Sequence, residues 1–169
     1  MRAVLVTRLR TYWKMEAANS VVVPLVGTGL IYANGDTVGW LVAVAMLAAS
    51  WMLVIGTIAL RAHYLTVTGD ADAMGRVVPL LARCQTPSAI LCVAGLVAAG
   101  VHHWQDAAWT ASVIAGWVFA TLAVLEYVNY YHVQLQHFDH RPDWVRLLAG
   151  KGFRASHLAR ALRRYRAAT

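Results

Sequence analysis

Residues 39–60 read GWLVAVAMLAASWMLVIGTIAL, 22 consecutive positions without a charged side chain. A helix rises about 1.5 Å per residue, so this run extends about 33 Å, enough to cross the hydrocarbon of a bilayer. Three further runs lie around it. Residues 17–35 and 107–125 carry no charge over 19 positions each, and residues 87–103 carry none over 17. The pattern predicts an all-α fold: an integral membrane bundle of four transmembrane helices. The spans are expected at about 17–35, 39–62, 87–103 and 107–133. They form a four-span domain over 1–140, followed by a basic tail over 141–169.

Composition agrees. In 169 residues the apolar set makes up 59% and charged residues 14%, with a mean hydropathy of +0.51. Soluble domains run at about 45–50% apolar and about 25% charged. A disordered chain, a coiled coil and a disulfide scaffold are all excluded. The two cysteines, Cys84 and Cys92, match no redox or zinc spacing. Cys92 falls inside an apolar run and reads as a small packed hydrophobe.

Charge sets the expected orientation. Four basic residues, Arg2, Arg8, Arg10 and Lys14, precede the first span. Arg61, Arg76 and Arg83 lie between the second and third, and the other eight follow the fourth. All 15 therefore fall on one side of a four-span chain, and the loops around Asp36 and Asp106 have none. The positive-inside rule places both termini in the cytoplasm. An odd number of spans would break the segregation. The Ala- and Arg-rich composition points to a bacterial inner membrane, hence a plasma-membrane protein.

Local signals shape the spans. Pro24 removes a backbone hydrogen bond and predicts a kink in the first. Glu16, Asn19 and Pro24 interrupt what a cleaved leader would need as its apolar stretch, so a retained span is expected. Thr86 as a cap and Pro87 at the first helical position predict a short third span. Residues 1–15 are expected to form a separate amphipathic helix at the interface. A second short one is expected around Met74 to Leu81, capped near Asp70 and broken by Pro79. After a hinge at Gly150-Lys151-Gly152, residues 157–166 read as a basic amphipathic helix. It is expected to rest on anionic lipid headgroups. A membrane-protein partner or a second copy is the alternative, and nucleic acid is not an expected partner.

Most intramembrane positions read as packing. Ala45 and Ala49, Gly95 and Ala99, and Gly116 and Ala120 are small-xxx-small pairs that let helices approach closely. Trp40, Trp104 and Trp109 sit at span ends as interfacial anchors.

The inner end of the fourth span differs. At about 100° per residue, Glu126, Asn129, Tyr130, Val133, His137 and His140 share one face, which continues outward as Leu122, Phe119 and Ser112. The polar end and the small residues beside it turn this face toward the bundle. A carboxylate at the depth of Glu126 needs a partner, water or a proton. A Glu126–Arg61 ion pair is one expectation. A functional site at the inner ends of spans one, two and four is the other. Such a site has Glu126 or His132 as general base. Glu16, Asn19, Arg61, His63, Asn129, Tyr130 and His137 are its ligand-binding residues.

A pocket of this kind, facing the cytoplasm, suits an amphiphilic or lipid-like small molecule to bind or modify. Two alternatives use the same residues. Glu16, His63, Glu126 and His132 offer metal ligands at one level, although the Glu-x-x-His spacing of bundle-core metal sites is absent. His63 and His132 end two parallel spans and offer axial ligands to haem. A non-catalytic accessory or scaffold subunit is the remaining class, its polar cluster being structural.

Overall fold

The computed structural model describes residues 2–106, 108–135, 149 and 152–168. Among these the regular structure is entirely helical. Four long helices, α1 (Arg2–Ala33), α2 (Trp40–Thr68), α3 (Ala73–Asp106) and α4 (Ala111–Tyr131), are followed by a short one, α5 (His157–Ala168). The first four are long and apolar enough to cross a membrane.

Short turns make neighbours antiparallel. Gly35, at φ 75°, turns the chain out of α1, and the Asp36 N–H returns to the Ile31 carbonyl (3.1 Å). Gly69, at φ 132°, ends α2 by donating its N–H to Leu65 (3.1 Å). Both conformations favour glycine because a side chain would clash there. At the start of α4, the Thr110 hydroxyl accepts from the Val113 N–H (3.3 Å). Asp36, from the α1–α2 turn, adds a carboxylate oxygen 2.9 Å from the Ser112 N–H. Hydrogen bonds from the Ser112 hydroxyl, the Ser112 and Thr37 N–H groups and the Thr110 hydroxyl hold the Asp36 carboxyl down at about 2, against an ordinary 3.8.

The core is built around α2, which packs against α1, α3 and α4. Val42, Ala45, Ala48, Ala49, Met52 and Ile55 are its fully enclosed face. Small residues set the spacing. A Cβ on Gly95 would lie 3.3 Å from the Ala48 Cβ and 3.5 Å from the Ala45 backbone. Gly27 meets the Phe119 ring so closely that a Cβ there would fall 2.5 Å from it. That is one place where α1 touches α4; for most of its length α1 leans on α2.

Two expectations about the helices are corrected. The third span is not short: α3 runs unbroken from Ala73 through Pro79 and Pro87. Thr86 and Pro87 lie mid-helix, and the expected separate helix near Met74 is the beginning of α3. Val78 and Leu81 are buried in the core, so packing offsets the two hydrogen bonds that the prolines remove. The segment 1–15 is likewise continuous with α1, and the helix passes Pro24 without interruption. Met15-Glu16-Ala17-Ala18 contains only strong helix formers, so nothing breaks the chain between the two parts.

The tail helix α5 forms where the sequence predicts it and docks on the bundle. Leu158, Ala159 and Leu162 are buried against the end of the bundle, on α3 and α4, while Arg160, Arg163, Arg164 and Arg166 stay exposed. Ser156 is the fastener. Its hydroxyl donates to the Tyr130 carbonyl and accepts from the Ala159 N–H at 2.9 Å, capping α5. Gln134 donates its N–H to Arg154 (2.8 Å), and Arg166 reaches Gln85 on α3. Enclosing each leucine contributes about 1.5–3 kcal/mol, which holds the apolar face of α5 on the bundle. Of the expected hinge, Gly150 and Lys151 lie outside the described residues, and Gly152 adopts φ 64°.

Candidate functional site

One end of the bundle gathers the start of α1, the α2–α3 turn, the end of α4 and α5. Most of the polar cluster expected from the sequence sits here. The α4 stripe faces inward: Ser112, Phe119, Glu126, Asn129 and Tyr130 are all buried.

Tyr130 enters the bundle because Gly56 on α2 leaves room for it. A Cβ at Gly56 would lie 2.3 Å from the phenol oxygen and 2.4–2.6 Å from the ring. The phenol hydroxyl donates to Glu16 of α1, which is itself buried. Asn129, one residue earlier, works in two directions. Its amide nitrogen donates to Glu126 at 3.3 Å, and its amide oxygen accepts the Leu135 N–H at 2.9 Å, tying down the chain as it leaves α4.

Two cavities flank this cluster. The larger, about 350 Å³, lies in the gap that α1 leaves beside α4. Glu16, Asn19 and Glu126 supply its polar wall, and Met15, Val23, Leu53, Leu60 and Leu122 its apolar one. The smaller, about 160 Å³, lies between α1, α2, α4 and the start of α5, with Arg8, His63, Asn129, Tyr130 and His157 on its walls. Tyr12 and Leu60 border both. Glu16 and Glu126 are each followed three positions later by an asparagine; both carboxylates and Asn19 border the larger cavity, and Asn129 bonds Glu126.

Not every expected residue belongs here. Arg61 is exposed and lies over the Trp13 ring, 5.6 Å from its centre, and no ion pair joins it to Glu126. The guanidinium gains a ring face at the surface, which avoids stripping its water to reach the carboxylate. His132 caps α4, is exposed, and borders neither cavity; its ring lies 5.3 Å from Tyr127. His63 faces His157 at 4.2 Å instead. The ring partners are therefore His157 for His63 and Tyr127 for His132. Among the described residues no three His, Cys, Asp or Glu side chains form a metal-holding group. His137 lies outside the described residues.

Sequence reasoning missed two features. Gly56 as the seat of Tyr130 has no signal, being one glycine within the apolar run 39–60. His157 lies 94 positions from His63, and no periodicity links the two. At the opposite end, His102 bridges Ser112 (3.0 Å) and Asp106 (3.2 Å), and Trp117 donates to His103 (3.3 Å). These bonds belong to helix ends rather than to a cavity.

Compared with known protein families, curated proteins and solved structures, the chain matches none.

Proposed function

We propose that this is a multi-pass plasma-membrane protein, its termini and basic end in the cytoplasm, which binds an amphiphilic, lipid-like small molecule between α1 and α4. The observation that carries the reading is the larger cavity. Its volume, about 350 Å³, falls in the usual range for small-molecule pockets, about 300–1,000 Å³. Its walls divide into an apolar part and a polar part, as an amphiphile does. Val23, Leu53 and Leu122 suit an alkyl chain, while Glu16, Asn19 and Glu126 accept or donate hydrogen bonds to a head. Buried carboxylates in a membrane helix are functional candidates by default, because they are expensive to keep. The sidedness rests on charge: basic side chains collect at the end where the cavity lies.

Leu122→Trp tests this directly. The larger side chain fills the cavity while leaving the carboxylates in place. Native mass spectrometry of protein released from detergent micelles should find phospholipid retained by the parent and lost, by about tenfold, from the variant. Equal retention by both removes the cavity as the binding site.

An accessory-subunit role draws on a different observation. Val21, Val22, Leu25, Val26 and Leu30 of α1 face outward. Those side chains suit lipid equally well, so the cavity remains the stronger guide.

A further inference from the structure

The docking of α5 leaves most of its charge unused. The helix reads HLARALRRYRAA, with four arginines and no acidic residue. Its apolar side, Leu158, Ala159 and Leu162, is buried against α3 and α4. At about 100° per residue, Arg160, Arg163 and Arg164 fall together on the opposite side. All three are exposed. Arg160 bonds the His157 ring (3.1 Å), and Arg166, at the end of the helix, reaches the Gln85 amide. Among the described residues no ion pair involves Arg163 or Arg164. On α3, which α5 touches, the one acidic residue is Asp106 at the far end. Among the described residues the row therefore has no carboxylate to offset it.

Two bonds fix the depth of this row. Ser156, the cap of α5, donates to the Tyr130 carbonyl, and Arg166 reaches Gln85. Tyr130 stands five residues past the charge-free run 107–125, and Gln85 two residues ahead of the run 87–103. At a rise of 1.5 Å per residue, those are about 8 Å and about 3 Å from the edges of the apolar runs. The headgroup layer is about 5–8 Å thick on each side of the hydrocarbon. Both ends of α5 thus lie at headgroup depth, and the helix runs along the membrane surface rather than out into the cytoplasm. Exposed guanidinium groups at that depth meet lipid phosphates, whose geometry matches their paired N–H donors. An acidic protein or a nucleic acid has to approach from the water side.

We propose that the bundle holds α5 in the headgroup layer as a docking surface for anionic lipids, whose phosphates bind Arg160, Arg163 and Arg164. A free amphipathic helix inserts its apolar side into lipid. Here that side is on protein, and the arginine side alone meets the membrane. The helix is ordered before lipid arrives, so binding does not bear the cost of folding it. Attraction to an anionic leaflet raises affinity about fivefold for each basic residue near the surface. The inference goes beyond the amphiphile reading above and does not depend on it, because neither cavity includes the three arginines of the row.

Purified full-length protein, with and without Leu122→Trp, is offered equal amounts of dioleoyl phosphatidylglycerol and dioleoyl phosphatidylcholine in maltoside micelles. Native mass spectrometry reads which lipid is retained. Phosphatidylglycerol should be preferred. Arg163→Gln and Arg164→Gln should each lower its retention by about fivefold, and together by about 25-fold, while phosphatidylcholine stays unchanged. Both positions are exposed and glutamine is a good helix former, so the melting temperature should match the parent's. Arg163→Lys with Arg164→Lys should keep most of the preference, because the charge remains. The effect should be the same in the Leu122→Trp background, where the larger cavity is filled. Equal retention of the two lipids overturns the proposal, as does a preference that survives both Arg→Gln changes. Each of these results leaves the cavity reading standing. A preference that Leu122→Trp abolishes assigns the anionic lipid to the cavity and overturns the row. Polyglutamate and a single-stranded oligonucleotide are then offered to the protein in nanodiscs of mixed phosphatidylcholine and phosphatidylglycerol. Neither should bind. Binding that requires Arg163 and Arg164 would turn the row toward the cytoplasm and overturn the lipid assignment.

Discussion

Gly56 and Tyr130 show how a single missing side chain decides where a polar group goes. Without a Cβ at Gly56, the phenol fits between α2 and α4 and its hydroxyl reaches Glu16. Gly56→Ala would place a methyl group 2.3–2.6 Å from the ring. Tyr130 is in the core and its hydroxyl is bonded to Glu16, so a ring that gives way loses that bond. Overpacking of this kind costs about 1–3 kcal/mol, more than the helix propensity that alanine regains over glycine. A thermal melt in detergent should therefore show Gly56→Ala below the parent. Gly29→Ala serves as the control, because nothing lies within 4 Å of its would-be Cβ. It should melt at or slightly above the parent temperature. A Gly56→Ala protein as stable as the parent would mean that Tyr130 does not occupy this seat.

At the scale of elements, α4 depends on a cap supplied from elsewhere in the chain. Asp36 belongs to the α1–α2 turn, yet its carboxylate accepts from the Ser112 N–H in the first turn of α4. A carboxylate at a helix N-terminus compensates unpaired N–H groups and the positive end of the dipole. Replacing such a cap with alanine costs about 1 kcal/mol, so Asp36→Ala should lower the melting temperature by about 2–4 °C at neutral pH. The pH dependence has a definite sign. The folded carboxyl sits at about 2 and the unfolded one at 3.8. Its contribution is thus present above pH 3.8 and disappears as pH falls toward 2. The gap between parent and Asp36→Ala should close over that window and stay constant above it. A gap that persists at pH 2 would assign the effect to something other than the charge.

Elements and site were legible from the sequence to different degrees, for a physical reason. The four apolar runs announce themselves because a bilayer demands length and absence of charge, and both are local properties. Helix ends were less legible. Pro87 after Thr86 carries a start signal, but Val78 and Leu81 are buried ahead of it, and tertiary packing carries α3 through. The inward turn of Glu126, Asn129 and Tyr130 followed from periodicity, since helix geometry alone puts them on one face. Which helix they would meet did not. Glu16 reaches Tyr130 across 114 positions of sequence, and Arg61 settles on Trp13 instead of on Glu126. Such choices depend on the lateral order of helices, which hydropathy does not encode. The docking of α5 was hidden for the same reason. A basic face with leucines behind it suits a membrane surface and a protein surface equally well.

At the scale of the whole molecule, charge and cavity make one claim about sidedness. The basic side chains of α1, the end of α2, the first part of α3 and α5 lie at the end where the two cavities open, and the α1–α2 turn at the other end has only Asp36. If the positive-inside rule governs insertion, the site faces the cytoplasm, and any amphiphile enters it from that leaflet. Two exposed turn positions report on this. Thr37 lies in the α1–α2 turn and Ala71 in the α2–α3 turn. In a background with Cys84 and Cys92 replaced by serine, Thr37→Cys should react with a membrane-impermeant maleimide on intact cells. Ala71→Cys should react only once the cells are opened. The two positions sit at opposite ends of α2, a helix long enough to span the bilayer, so one labelling pattern implies the other. Reversed labelling would place the basic end outside and with it both cavities, and an amphiphile would then have to come from the outer leaflet. Labelling of both positions on intact cells would deny that α2 crosses the membrane at all.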